Sequence, residues 1–132
     1  MYLVDTNVWL ELLLGQERAQ EVRYFLGTVE SGSLFITDFG FHSIGIVLTK
    51  LNNMVALLHF VQDTFVEGAV SLVHLKPEDT ELIVSVMRRF SLDFDDAYQY
   101  VAAEKYGLTI ISFDTDFDRT EKGRKTPDKV EF

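Results

Sequence analysis

Short apolar runs alternate along this chain with longer stretches in which apolar residues recur every three or four positions, and an aspartate follows three of the four runs. That alternation confines the chain to an α/β fold: the runs are strands of a mainly parallel sheet, and the longer stretches are the helices that carry the chain back over it. The runs are Leu3-Val4, Leu34-Phe35-Ile36-Thr37, Ser71-Leu72-Val73-His74-Leu75 and Leu108-Thr109-Ile110-Ile111-Ser112-Phe113. The last is the most hydrophobic, which predicts a central strand buried on both faces.

Helix signals fill the intervals. Thr6 and Asn7 are N-cap types ahead of an apolar segment over 8–14 that Gly15 would stop, and a second helix is expected over 16–30. Helices are predicted over 38–51 and 54–67. Pro77 fits a first helical position, with Glu78, Asp79 and Glu81 in the opening turn of a helix running to Phe90. A last helix over 95–106 meets Gly107, a natural left-handed terminator. Residues 114–128 read as a polar loop and 130–132 as a short edge strand, for a sheet of four to five strands.

The chain's 132 residues fit one domain, 1–132, able to bury a core without staples. No cysteine is present, which excludes disulfides, thiolate nucleophiles and Cys-rich zinc sites and agrees with a reducing, cytoplasmic setting. Neither a signal peptide nor an apolar run near the roughly 20 residues of a membrane span is recognisable, so no membrane association is expected. The net charge of −9 argues against general adhesion to nucleic acid. The charge is uneven: residues 1–118 stand at −11, and residues 119–132 at +2. Apolar residues on more than one face of the 38–67 helices, among them Phe41, Ile44, Leu48, Leu51, Leu57, Phe60, Val61 and Phe65, are expected to serve both the core and a twofold homodimer interface.

The aspartates carry the chemistry. Asp5 ends the first strand, Asp38 follows the second, Asp114 follows the fourth with Asp116 close behind, and Asp95 and Asp96 open the last helix. In a parallel sheet all carboxyl ends share one edge, where ligands bind, so these acids are predicted to converge. Clustered carboxylates repel unless a cation neutralises them. Oxygen donors without cysteine suit Mg²⁺ or Mn²⁺, and such an ion supports hydrolysis of a phosphodiester.

Leu3-Val4-Asp5-Thr6-Asn7, then Asp95-Asp96-Ala97 with Ala102-Ala103 and Tyr106-Gly107-Leu108, and finally Ser112-Phe113-Asp114-Thr115-Asp116-Phe117 together resemble the PIN domain family, and most closely the VapC-type toxins of toxin–antitoxin pairs. The resemblance spans almost the whole chain. It implies a three-layer α/β/α sandwich, Mg²⁺- or Mn²⁺-dependent endoribonuclease activity on RNA, frequent dimerisation and an antitoxin partner. By position it assigns Asp5, Asp96 and Asp114 as metal-binding acids, Asp116 as their auxiliary, and Thr6 as the small hydroxyl residue beside the first acid. It also implies a glutamate about one turn into the helix after the second strand; spacing from Thr37 puts that place on His42, and no glutamate lies between Glu30 and Glu67. Either Asp38, four residues earlier on the same helical face, or His42 itself would have to compensate.

The basic tail offers Arg119, Arg124 and Lys125 for substrate phosphates, while Lys129 reads as solvated. Other strand-end aspartate chemistries fit less well: a phosphoacceptor receiver needs an acid pair after the first strand, and a haloacid-dehalogenase-type phosphatase needs an aspartate where Asn7 stands. The reading is therefore a metal-dependent ribonuclease. The alternative is a PIN-like binding or dimerisation module weakened by the missing glutamate.

Overall fold

The computed structural model describes residues 1–132. The strands are β1 (Tyr2–Val4), β2 (Leu34–Thr37), β3 (Ser71–Val73) and β4 (Thr109–Ile111), and the helices are α1 (Thr6–Leu13), α2 (Ala19–Thr28), α3 (Asp38–Lys50), α4 (Met54–Val61), α5 (Thr80–Phe90) and α6 (Phe94–Tyr106). All strand pairs are parallel, in the order β3-β2-β1-β4, with Leu3 opposite Phe35 on one side and Ile110 on the other.

Side chains of successive strand residues point to opposite faces, and this alternation builds two cores from one sheet. Leu3 and Ile110 pack with Ile83 and Val86 of α5 and Tyr100 and Val101 of α6. Val4, Ile36 and Ile111 face the other way, onto Val8 and Trp9 of α1, Val22 and Phe25 of α2, Ile44 and Leu48 of α3 and Phe60 of α4. Helices on both faces make the three-layer α/β/α arrangement.

Two expectations need correction. The fourth strand is at the sheet's end, and β1 and β2 occupy the middle. Its hydrophobicity reflects helical layers on both faces and a covered edge: the Lys125 N–H donates to Ile110 O at 2.8 Å, and the Ser112 N–H to Lys125 O at 3.0 Å. Backbone from the tail thus satisfies groups that an open edge would leave to water. Residues 130–132 form no strand; Pro127–Lys129 is a single 3-10 turn, and Val130 is buried against the α1–α4 side.

Other boundaries shift for local reasons. The second helix starts at Ala19, after Gly15 has turned the chain at φ +60°. The fourth helix continues as a π turn over Gln62–Val66, closed by Gly68, where a Cβ would lie 2.6 Å from the Asp63 carbonyl oxygen. Gly107 terminates α6 at φ +66°, as expected. The polar loop contains a 3-10 turn, Thr115–Arg119.

Most of the apolar surplus in the 38–67 segment belongs to the core: Ile44, Leu48 and Phe60 are buried. Six other apolar residues of this region, Ile46, Leu51, Met54, Val55, Leu58 and Val66, are exposed, with Leu58 at 70%. No helix is long and apolar enough to cross a membrane.

Candidate functional site

At the carboxyl end of β1 the chain turns straight into α1, so Asp5 is at once the last strand-side residue and the helix N-cap, with its Oδ1 accepting the Thr6 N–H at 2.8 Å. This displaces Thr6 and Asn7 from the capping role. Asn7 instead reaches across to the end of β4: its Nδ2 donates to Ser112 Oγ at 3.3 Å and its Oδ1 accepts the Phe113 N–H at 3.2 Å.

Because β1 and β4 are parallel neighbours, their carboxyl ends coincide, and α6 brings its first turn to the same edge. Asp5, Thr6, Asn7, Ser43, Asp95, Asp96, Gln99 and Asp114 line a cleft of about 290 Å³, with Leu10 and Phe39 completing the wall. Carboxylate oxygens of Asp96, Asp114 and Asp116 lie within 4.8 Å of one another. The Asp114-Thr115-Asp116 turn is held by Asp114 Oδ1, which accepts the Asp116 N–H at 2.8 Å, a local bond that aspartate makes readily in turns.

Asp5 is buried, and both of its carboxylate oxygens are engaged by the protein. Oδ1 accepts from Thr6 N and, at 3.0 Å, from Gln99 Nε2; Oδ2 accepts from Ser112 Oγ at 2.7 Å. Burial pushes the Asp5 carboxyl above its ordinary value, partly offset by those hydrogen bonds, with Asp114 adding a further upward push. Asp96 is pushed up to about 7, first by burial and then by the negative charges of Asp114, Asp95 and Asp5. Crowded like charges resist full ionisation unless a cation is shared among them.

The donor set is all oxygen, with no histidine in the cleft and no cysteine in the chain. Asp96, Asp114 and Asp116 therefore fit a hard divalent cation. From α3 the cleft receives Phe39 and Ser43 rather than a carboxylate. Asp38 accepts the Tyr98 hydroxyl at 2.8 Å, and that hydroxyl in turn accepts the Leu75 N–H at 2.9 Å. His42 is exposed beside the Phe41 ring. Neither lines the cleft.

The basic residues divide into two kinds. Arg119 donates to Phe90 O at 3.0 Å and Ser91 O at 2.6 Å, and pairs with Asp116 at 3.1 Å. Arg124 donates to Ser112 O at 3.1 Å and holds both oxygens of Asp118 at 3.2 Å. Both guanidinium groups brace the loop after β4. Lys125 is exposed, as is Lys122, and neither side chain has an ion-pair or hydrogen-bond partner.

Sequence reasoning passed over Gln99, Ser112 and Ser43 and assigned Asn7 only to a cap. A polar residue inside an apolar segment was the available signal for two of them: Ser112 ends Ile110-Ile111, and Gln99 sits three residues after Asp96 within Ala97-Tyr98-Gln99-Tyr100-Val101.

A second, apolar cavity, of about 540 Å³, lies between α1, α2 and α4 and includes Trp9, Leu13, Leu26, His59 and Phe60. Its Glu30, His59 and Asp63 do not come together as a group that could share an ion. The acidic cleft is thus the candidate site.

Among solved structures the chain is similar to VapC20 of Mycobacterium tuberculosis, described as a sarcin-ricin-loop-cleaving toxin, at 18% identity and TM-score 0.75, covering 89% of this chain and 93% of that one. It is also similar to a chain of a toxin–antitoxin complex from Klebsiella pneumoniae (19% identity, TM-score 0.74, covering 98% of this chain and 100% of that one). FitAcB from Neisseria gonorrhoeae aligns at 18% identity and TM-score 0.75, again over 98% and 100% of the two chains. Comparison with curated proteins gave no match. The family model for the PIN domain matches residues 2–123, a span that contains every strand and every acid of the cleft. With that match over nearly its whole length, the chain belongs to the PIN domain family.

Proposed function

We propose that the chain is a Mg²⁺- or Mn²⁺-dependent endoribonuclease, acting as one domain over residues 1–132. The observation that carries this reading is the meeting of Asp96, Asp114 and Asp116 beside Asp5, four acids drawn from three separate parts of the chain. Asp96, Asp114 and Asp116 would hold the ion, with Asp5 completing the set. When bound, a divalent ion polarises a phosphodiester and lowers the pKa of a bound water.

The remaining roles fall to the chain's own groups. Asn7 and Ser112 tie the end of β4 to the start of α1 and so keep Asp5 and Asp114 together. Thr6 lines the cleft, and its hydroxyl would orient water or a phosphate oxygen there. Lys125, with its ammonium unpaired, contacts substrate phosphate, whereas Arg119 and Arg124 hold the loop. An acidic protein can then retain an anionic substrate through a few local cations.

The test combines calorimetric titration with Mn²⁺ and cleavage of single-stranded RNA. The wild type is expected to bind Mn²⁺ and to cleave only when it is present, and Asp114→Asn to weaken binding at least tenfold and abolish cleavage. Absence of Mn²⁺ binding by the wild type would instead favour a PIN-fold binding module, the reading that Phe39 and Ser43, in place of a carboxylate on α3, would support.

The toxin–antitoxin complex from Klebsiella pneumoniae supports an antitoxin partner as part of the same proposal, and a chain without cysteine suits the reducing cytoplasm in which the proposal places it. The exposed Ile46, Leu51, Met54, Val55 and Leu58 further support a homodimer. Leu58→Glu is expected to halve the mass measured by light scattering and to leave the circular dichroism spectrum unchanged. A wild type that is already monomeric would exclude the dimer.

A further inference from the structure

Gln99 lies in α6, one turn after Asp96, and is only 3% exposed. A buried amide must satisfy both ends, and which end faces which partner is decided by the protons around it. Here the Asp5 carboxylate makes the choice, because its oxygens only accept and so take the amide NH₂ rather than Oε1. Thr37 Oγ1 accepts the Gly40 N–H at 2.9 Å, so its own proton is free to go to Gln99 Oε1, 2.6 Å away. With Oε1 occupied as an acceptor, the amide NH₂ is turned to Asp5 Oδ1 at 3.0 Å. The end of β2 thereby reaches Asp5 through two side chains.

The Ser112 hydroxyl is oriented in the same way. Its oxygen accepts Asp114 N–H at 2.9 Å and Asn7 Nδ2 at 3.3 Å, leaving its proton for Asp5 Oδ2. A carboxylate offers about four acceptor positions, two on each oxygen. Thr6 N and Gln99 Nε2 fill both on Oδ1, and Ser112 fills one on Oδ2. One position remains.

We propose that Gln99 is a positioning residue: its amide, locked by the Thr37 hydroxyl, saturates Oδ1 of Asp5 and leaves a single position on Oδ2 as all that Asp5 can offer to a ligand in the cleft. The inference rests on the reading of the cleft as a divalent-ion site only for what that ligand is; the lock itself belongs to the ion-free protein. It also accounts for the α3 side of the site. The family glutamate is absent there, and the corner between β2 and Asp5 is bridged by an uncharged amide instead.

Two measurements test it. In the metal-free protein, NMR should show slow solvent exchange of the Gln99 side-chain amide protons. Thr37→Val, which removes the hydroxyl that holds Gln99 Oε1 and leaves the Asp5 and Gln99 side chains themselves unaltered, should speed that exchange at least tenfold, while Thr37→Ser, which keeps the hydroxyl, should retain it. In the second measurement, Mn²⁺ affinity is followed by electron paramagnetic resonance. Gln99→Met, an apolar replacement of similar volume, should weaken binding about tenfold, the usual effect of losing a hydrogen bond to a ligating side chain, and should lower kcat with KM for RNA unchanged. Circular dichroism establishes that each variant is folded.

Fast exchange of the Gln99 amide in the wild type, or exchange indifferent to Thr37→Val, overturns the proposal. So does a folded Gln99→Met that binds Mn²⁺ as the wild type does. A wild type with a protected Gln99 amide that binds no Mn²⁺ overturns the nuclease reading and supports the positioning of Asp5 by Gln99.

Discussion

Asp96→Asn is expected to abolish Mn²⁺-dependent cleavage of single-stranded RNA, by a factor of roughly 10³ or more, while raising the melting temperature of the metal-free protein. The two effects share one cause. Asp96 is pushed up to about 7 by burial and by Asp114, Asp95 and Asp5, so without an ion it is a site of repulsion. An asparagine keeps the shape and a hydrogen-bond donor for Asp114 and removes the charge. At this half-exposed position, after solvent screening, the gain is about 1 kcal/mol, or roughly 3–5 °C.

The pH dependence has a definite sign. An unfolded aspartate loses its proton near 3.8, whereas folded Asp96 keeps it to about 7. Between these values the native state binds more protons than the unfolded state, so the stability of the metal-free wild type falls as pH rises through that window and levels off above it. The raised carboxyl of Asp5 acts in the same direction. Melting curves from pH 4 to pH 8 should therefore slope downward for the wild type and less so for Asp96→Asn. Added Mn²⁺ should erase the slope in the wild type alone. Parallel slopes for the two proteins would remove Asp96 from the cluster's electrostatics.

Phe117→Ala is expected to have a large effect on stability. Phe117 is the one fully buried side chain of the 3-10 turn Thr115–Arg119, and it packs into the core beneath α5 and α6. Truncating a buried phenylalanine costs about 3–5 kcal/mol, a large share of the roughly 5–15 kcal/mol that keeps a domain of this size folded. Urea denaturation should show the midpoint falling by a third or more with little change in slope. Since Asp116 and Asp118 flank the anchor, Phe117→Ala should also weaken Mn²⁺ binding in whatever fraction remains folded, and Phe117→Leu should restore most of both. A midpoint close to wild type would mean that the turn is held by Arg119 and Arg124 rather than from below.

Much of the site was readable before any coordinates. Asp5, Asp96 and Asp114 each sit at a strand end or a helix start, and for parallel strands that position alone dictates a common edge. Asp116 was implied by the family resemblance, and the turn after β4 holds it beside Asp114. The basic tail was legible as charge but not as geometry: Arg119 and Arg124 turn inward to carbonyl oxygens and carboxylates, while Lys125 does not. Guanidinium groups offer several donors that protein oxygens can occupy, and nothing in local spacing says whether those oxygens or a phosphate will be nearer. His42 was a candidate because spacing from Thr37 puts the family glutamate's place on it, and Asp38 because it lies four residues earlier on the same face of α3. Helical phase then decided against both, giving the cleft Phe39 and Ser43.

Hydrophobic rhythm, cap residues and turn chemistry act over a few neighbouring positions, so the chain alone established the alternation of strands and helices, the parallel sheet and the edge where acids would gather. Strand order and the links between distant polar side chains depend on which surfaces meet. No local pattern could say that the most apolar strand would lie at the sheet's end under a strip of tail backbone. Nor could it say that Thr37, Gln99, Ser112 and Asn7, spread over more than a hundred positions, would close around one carboxylate. Burial removes water as a partner, and each buried donor must then find an acceptor wherever the fold has placed one.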